Sequence, residues 1–385
     1  MRISIVTLFD NGNYGSELQS MAMTLYLKNK DYEPVLCHIK APNKALRLLE
    51  VLVDAVVLKI NTFFNAEMKM YLTDCTINAE KQRSISSELK EYVHSFVSRH
   101  IVSERVSRWN VPNGKFDAYI CGSDQIWSAL KLPICSKLFL NGVSSDRKIA
   151  YAPSMGLDTL PTYYIKKVGK YISDFKYLSV REEAAKHAIL ENFGIDALQV
   201  LDPTMLVGRD VWDSLLAFEG KKTPKKKYIF CYFLGELSDD TVRCINDIAK
   251  EYEVIILPYE EDSIKVRNGN YQLADPLDFV NLIKHAQYVL TDSFHGSVFS
   301  VLYEKQFVVT KRTHVGRVAQ TSRITSLLTI FGLEKQYCQY ANEMLNALKT
   351  NIDYSTIYKQ LENEQKISRA FLDNALDEIN KTLKK

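Results

Sequence analysis

Tyr288-Val289-Leu290-Thr291-Asp292-Ser293-Phe294-His295-Gly296-Ser297, running on through Val298–Tyr303, is the stretch that decides the fold. Its first residues are apolar and β-prone, its centre is polar and contains a glycine, and its end is dense in apolar side chains like a buried helix. A strand that passes through such a turn into a helix is half of a βαβ unit, and repeated units build a parallel sheet. Ligands of parallel sheets gather at the carboxyl ends of the strands, and His295 falls there. Asp292 or Ser293 can cap the helix, and Gly296 lets a group come close to its N-terminus. A histidine beside that positive helix end suits acid–base work or contact with phosphate. Isolated histidines are often structural; the polar, glycine-flanked strand end sets this one apart.

The same rhythm extends in both directions. Ile3–Leu8, Glu33–Ile39, Asp117–Cys121, Lys148–Ala152, Tyr177–Val180 and Leu198–Leu201 read as strands alternating with helical patterns. Tyr228–Phe233, Val254–Leu257 and Phe307–Val309 repeat the pattern further on. The expected fold is α/β, with two parallel-sheet domains facing each other across a cleft. Residues 1–205 form the first, with a helical insertion at about 44–108, and residues 206–352 the second. Residues 353–385 predict one long polar helix packed back across both. Gly220–Lys227, GKKTPKKK, reads as an exposed linker or as a basic docking patch.

A chain of 385 residues is long enough for two such domains. With 46% hydrophobic and 25% charged residues it has the composition of a folded globule. A net charge of +3 leaves no basic footprint for nucleic acid, while a local cationic pocket stays open. The seven cysteines are odd in number and form no C-x-x-C pair, which speaks against a zinc site or a disulfide framework. Met1–Leu8 is strand-like without a leader pattern, so the expected location is the cytoplasm. Leu46–Ile60 is too short and too charged to provide the roughly 20 apolar residues of a membrane span, and it begins the amphipathic stretch Leu46–Phe64. Its amphipathic pattern fits a helix on the protein's own core or one resting on a membrane surface. Nothing in the sequence calls for a metal or a resident cofactor.

Three further strand-end turns and a cationic stretch carry candidate chemistry. Asn11, Asn13, Tyr14 and Gly15 lie in the turn after the first strand, where flexible backbone and a helix N-terminus can meet an anion; an ordinary turn reads the same way. Cys121-Gly122-Ser123-Asp124-Gln125-Ile126-Trp127 offers hydroxyl-binding groups and, in Trp127, a flat face for a sugar ring, or else a cap and a core tryptophan. In Ser179-Val180-Arg181-Glu182 an arginine opens a helix against the macrodipole. That suits a bidentate grip on carboxylate or phosphate, or a salt bridge to Glu182 or Glu183. Lys311, Arg312, His314, Arg317 and Arg323 follow the Phe307–Val309 strand, and Arg323 repeats the Arg181 placement at a helix start.

In this order the motifs resemble those of the polysaccharide pyruvyl transferases. The resemblance runs from Asn13-Tyr14-Gly15 with Leu18-Gln19, through Gly122–Trp127, Ser179–Glu182 and Asp202-Pro203-Thr204, to Thr291–Gly296 and Ser322-Arg323-Ile324. It implies a fold like that of the two-domain B-type glycosyltransferases, with the active site between the domains. It also implies phosphoenolpyruvate as donor, a co-substrate and not a bound cofactor. The acceptor would be a sugar or oligosaccharide of a cell-surface or capsular polysaccharide, free or lipid-linked. By motif, Arg181 and His295 correspond to the family's donor-binding arginine and essential histidine. Many members carry an arginine two residues before that histidine, where this chain has Ser293.

The resulting expectations are specific. His295, Asp124 and Arg181 would be catalytic. Arg181, Ser293, His295, Gly296, Arg323 and Lys311 would hold the donor, with Arg323 or Lys311 replacing the charge absent at Ser293. Asn11, Asn13, Tyr14, Gly15, Ser123, Asp124, Gln125 and Trp127 would meet the acceptor. A nucleotide-sugar glycosyltransferase or a non-catalytic glycan-binding relative would share this architecture, and nucleotide or phosphoenolpyruvate binding separates them.

Overall fold

The computed structural model describes residues 1–39, 73, 75, 87–106, 114–130, 134–157, 159–222, 224–235, 237–257, 266, 269–312 and 321–384. The amphipathic stretch Leu46–Phe64 and the cationic His314 and Arg317 lie outside them.

Two all-parallel sheets organise the chain. The first runs in the order β3 (Ser103–Val106), β2 (Glu33–Ile39), β1 (Arg2–Val6), β4 (Ala118–Cys121), β5 (Lys148–Ala150), β6 (Tyr177–Val180), β7 (Leu198–Gln199). The second runs β10 (Gly269–Tyr271), β9 (Glu253–Leu257), β8 (Tyr228–Tyr232), β11 (Tyr288–Thr291), β12 (Gln306–Thr310), β13 (Tyr337–Cys338). In both, the chain starts at a central strand, winds outward to one edge, and then returns to wind toward the other. This is the doubly wound order of a Rossmann domain, whose crevice lies where the winding reverses. Those reversal points are β1/β4 and β8/β11, paired in register from Ile3 against Ala118 and from Ile229 against Tyr288.

The helices fall between the strands: α1 (Tyr14–Lys28), α2 (Ser87–His100), α3 (Thr162–Ile172), α4 (Glu183–Phe193), α5 (Pro203–Leu206) and α6 (Arg209–Phe218). The second half adds α7 (Asp239–Ile248), α8 (Pro276–His285), α9 (Phe294–Leu302), α10 (Ser322–Ile330), α11 (Ala341–Lys349) and α12 (Tyr354–Leu383). The expected helical insertion is corrected at its end. Ser103–Val106 is a strand pairing with Leu36–Ile39, because its backbone completes the sheet edge that β2 leaves open. The short edge strands β10 and β13 had no signal of their own.

One apolar cluster runs through both halves, from Ile3 and Leu18 to Phe279, Phe299 and Leu376. A hydrophobic interface of this kind holds two domains in a defined arrangement. Helix α12 crosses the junction. Ser368 accepts from Leu201 N at 2.9 Å, Arg369 donates to Leu206 O at 2.7 Å, and Tyr26 donates to Asp373 at 2.9 Å in the first half. Its first turns meet Lys305 and Glu304 of the second through Tyr354 and Tyr358. No helix among the described residues is long and apolar enough to cross a membrane.

Candidate active site

The two reversal points face each other, and the motif residues meet between them. On the first domain, Asn13 caps α1, its side chain accepting from Gly15 N at 2.9 Å and Ser16 N at 3.3 Å. Ser16 then donates to Asp124 at 2.7 Å across the reversal point. Asp124 sits at φ 61°, a left-handed conformation that costs energy in any residue but glycine and recurs where a side chain must be aimed at a site. Gln19 secures the turn from below, donating to Thr7 at 2.9 Å and accepting from Ser123 N at 3.2 Å.

On the second domain, Ser293 caps α9 by accepting from Gly296 N at 3.3 Å. His295 in the first turn is 4% exposed. Its ring lies directly over Gly15: a Cβ there would stand 1.9 Å from Nδ1. On its other side Nε2 is 3.7 Å from Asp202 Oδ2 and makes no hydrogen bond among the described residues. Asp292 ties the rim together, accepting from Leu234 N, Gly235 N and Arg312 Nε at 2.7, 2.9 and 3.1 Å.

Arg181 lies in the middle, 4% exposed. It precedes α4 instead of opening it: Glu182 is the N-cap and the helix begins at Glu183. Its guanidinium donates to Asp202 at 2.9 Å, stands 3.4 Å from Asp124 and 4.0 Å from Glu182, and covers the Phe294 ring at 4.2 Å. Burial alone would lower the Arg181 pKa, but Asp202, Asp124 and Glu182 outweigh it and raise the value. Burial would likewise raise the Asp124 carboxyl, yet Arg181, His295 and the Ser16 hydroxyl hold it below the usual range. Asp202 is also lowered against the same penalty, by His295, Arg181 and the Thr204 N–H.

Arg323 behaves oppositely. It occupies the first turn of α10, nearly buried, and its pKa falls to about 9. Burial is the largest cause, followed by the like charges of Arg181 and Arg312. Glu17, which sequence reasoning did not single out, is fully buried in α1; burial, then Asp10 and Asp124, push its carboxyl up to about 8.

Buried polar groups are almost always hydrogen-bonded. Here Glu17 Oε2, Arg181 Nε, Glu182 Oε2, His295 Nε2 and Ser322 Oγ are buried without a bond among the described residues. A site that leaves several donors and acceptors open in one place is organised to receive a polar ligand.

Four expectations change. Trp127 is 1% exposed, stacked on Phe139 at 5.1 Å, with its N–H donated to Leu138 O at 3.0 Å. The short Gln125–Trp127 turn swings the indole into the core, so its face is closed to a sugar. Tyr14 is buried against Phe279 at 5.3 Å and joins the domains instead of facing the cleft. Gly296 admits Thr291, not a ligand: a Cβ would meet its hydroxyl at 2.6 Å. Lys311 is exposed and lines a separate groove of about 840 Å³ with Ser238, Thr241 and Tyr340. Of the remaining residues, Asn11 donates to Ser16 at 3.4 Å, Gln125 lies against Gly156, and Ser123 bonds Asp202 at 3.0 Å.

The sequence model of the family described as polysaccharide pyruvyl transferase matches residues 13–313. The chain belongs to this family. The matched span runs from the α1 cap to just beyond Arg312, so it takes in both reversal points of this pyruvyl transferase family member. A comparison with curated proteins gives no sequence match. Among solved structures, the chain is similar to the UDP-N-acetylglucosamine 2-epimerase of Rickettsia bellii. The two are 11% identical over 98% of this chain and 96% of that one, with a TM-score of 0.51. The UDP-GlcNAc 2-epimerase of Methanocaldococcus jannaschii is also 11% identical, over 97% of this chain and 99% of that one, at a TM-score of 0.50. At this identity the likeness concerns the fold. The pyruvyl transferase family member thus has two Rossmann-like domains arranged as in B-type glycosyltransferases.

Proposed function

We propose that this chain transfers the pyruvyl group of phosphoenolpyruvate to two hydroxyls of one sugar, closing a pyruvate ketal and releasing phosphate. The acceptor would be a unit of a cell-surface or capsular polysaccharide or its lipid-linked precursor, modified in the cytoplasm. What supports the reading is the family match over residues 13–313 together with the meeting of Arg181, Asp124 and His295 around Asp202 at one buried junction. Phosphoenolpyruvate brings both a carboxylate and a phosphate. Arg181, already matched by three carboxylates, is better suited to hold Asp124 and Asp202 in place than to clamp the donor.

In this reading His295 delivers a proton to C3 of the enol, the π pair of C2=C3 forms the new C–H bond, and C2 becomes electrophilic. Asp124, kept ionised, takes the proton of the attacking hydroxyl. Phosphate leaves with its bonding pair, and the second hydroxyl closes the ketal as its proton passes to the departing phosphate. Arg323, Ser293 and the α9 N-terminus would meet the anionic groups.

The test is phosphate release from phosphoenolpyruvate across a panel of galactosides, mannosides and glucosides, with mass detection of the product. Gain of one pyruvyl ketal supports the reading. Turnover of a nucleotide sugar, with no binding of phosphoenolpyruvate, overturns it in favour of a glycosyltransferase.

A further inference from the structure

Asp202 entered the sequence reading only as part of the Asp202-Pro203-Thr204 motif, yet its carboxylate is held from every side. Oδ1 accepts from Thr204 N at 3.1 Å and Thr204 Oγ1 at 2.7 Å. Oδ2 accepts from Ser123 at 3.0 Å and Arg181 at 2.9 Å. The same Oδ2 faces His295 Nε2 at 3.7 Å, the nitrogen that has no hydrogen bond among the described residues. Both residues are nearly fully buried, and they follow strands of different sheets, Leu198–Gln199 and Tyr288–Thr291. The charged groups around the pair are Arg181, Asp124 and Arg323, none of which bonds the imidazole.

We propose that Asp202 is the positioning residue of His295, fixing its tautomer from across the domain junction. A carboxylate beside one ring nitrogen keeps the proton there and leaves the exchangeable proton on the other. With Nε2–H turned to Asp202, the imidazolium gives its Nδ1 proton to C3 of the donor and becomes the neutral Nε2–H form. The proton that Asp124 takes from the attacking hydroxyl then passes to the ring and restores it, so the cycle closes without a further reactant. Because each domain supplies one partner, the acid is correctly oriented only while the domains hold this arrangement. The assignment of the proton step rests on the pyruvyl transfer reading; the pairing itself does not.

The experiment therefore has two arms, both on the full chain. Nitrogen-15 spectra of histidine-labelled protein, with the His295 signal assigned by its loss in His295→Gln, report the tautomer without any substrate. Asp202→Asn is expected to move the His295 ring shifts, and Asp202→Glu to restore them in part. In the activity arm, Asp202→Asn should lower kcat by about 100-fold, with the phosphoenolpyruvate KM changed less than about 3-fold. Unchanged His295 shifts in folded Asp202→Asn overturn the pairing. A loss of kcat matched by an equal loss of folded protein, read by circular dichroism, overturns the positioning role. If the wild type transfers no pyruvyl group, the reaction reading fails and the spectra alone decide.

Discussion

Gly15 and His295 come from different domains and leave no space for a methyl group between them, since a Cβ on Gly15 would stand 1.9 Å from the imidazole Nδ1. The absent side chain at Gly15 is thus what allows the α1 turn and the α9 histidine to share one site. Gly15→Ala must push the ring off Asp202 or part the domains. Displacement of about 1 Å at a reacting group costs on the order of 100-fold in rate. That loss in kcat is expected with the fold retained, and far-ultraviolet circular dichroism alongside kinetics checks it.

Arg323 and Arg181 are expected to separate cleanly. Arg181→Met leaves Asp124, Asp202 and Glu182 buried without their cation, a change that costs about 3–5 kcal/mol. Arg323→Met removes a buried charge that faces Arg181 and Arg312 as well as Asp124 and Glu182, so its stability cost should be smaller than that of Arg181→Met. Phosphoenolpyruvate should raise the melting temperature of the wild type and not of Arg323→Met. Urea melts and thermal shifts measure both effects.

Glu17 gives a pH test with a definite sign. Its carboxyl is raised to about 8 in the folded protein against an ordinary value of 4.5, so the native state binds more protons than the unfolded state between those values. Stability contributed by this group is full below pH 4.5 and declines as pH rises to about 8. Glu17→Gln keeps the shape of the neutral acid and should gain on the wild type across that window, then level off. Melting temperatures of the two proteins from pH 5 to 9 trace the difference.

Trp127 provides the opposite kind of control. Removing a core aromatic costs about 3–5 kcal/mol, so Trp127→Ala should lose stability heavily. Trp127→Phe should keep the acceptor KM of the wild type, because the indole packs on Phe139 and not on the cleft. A raised acceptor KM in Trp127→Phe would return the residue to the site.

The sequence carried the fold well where local patterns and topology agree. The strand Tyr288–Thr291, its polar turn and the helix after it appear together because Ser293 caps what the apolar residues bury. The site was legible as far as strand ends could show it: Asp124, Arg181, His295 and Arg323 converge because reversal points bring loop residues together. What stayed hidden depends on direction and partner. Local sequence left open whether Trp127 turns inward and whether Arg181 meets acids, and it carried no sign that Asp202 meets His295 of the other domain. Glu17 was passed over because an acid in a first helical turn is ordinary until its burial is known.

Helix α12 follows the second domain in sequence but bonds Leu201, Met205, Leu206 and Tyr26 of the first. The first domain is therefore assembled from two distant segments, and the polypeptide passes between the halves twice. A fragment ending near residue 205 should expose the apolar bed of Leu372, Leu376 and Ile379 and aggregate. Supplying 354–383 as a separate peptide should rescue it. Fragment complementation, more than simple truncation, is the way to obtain that half alone.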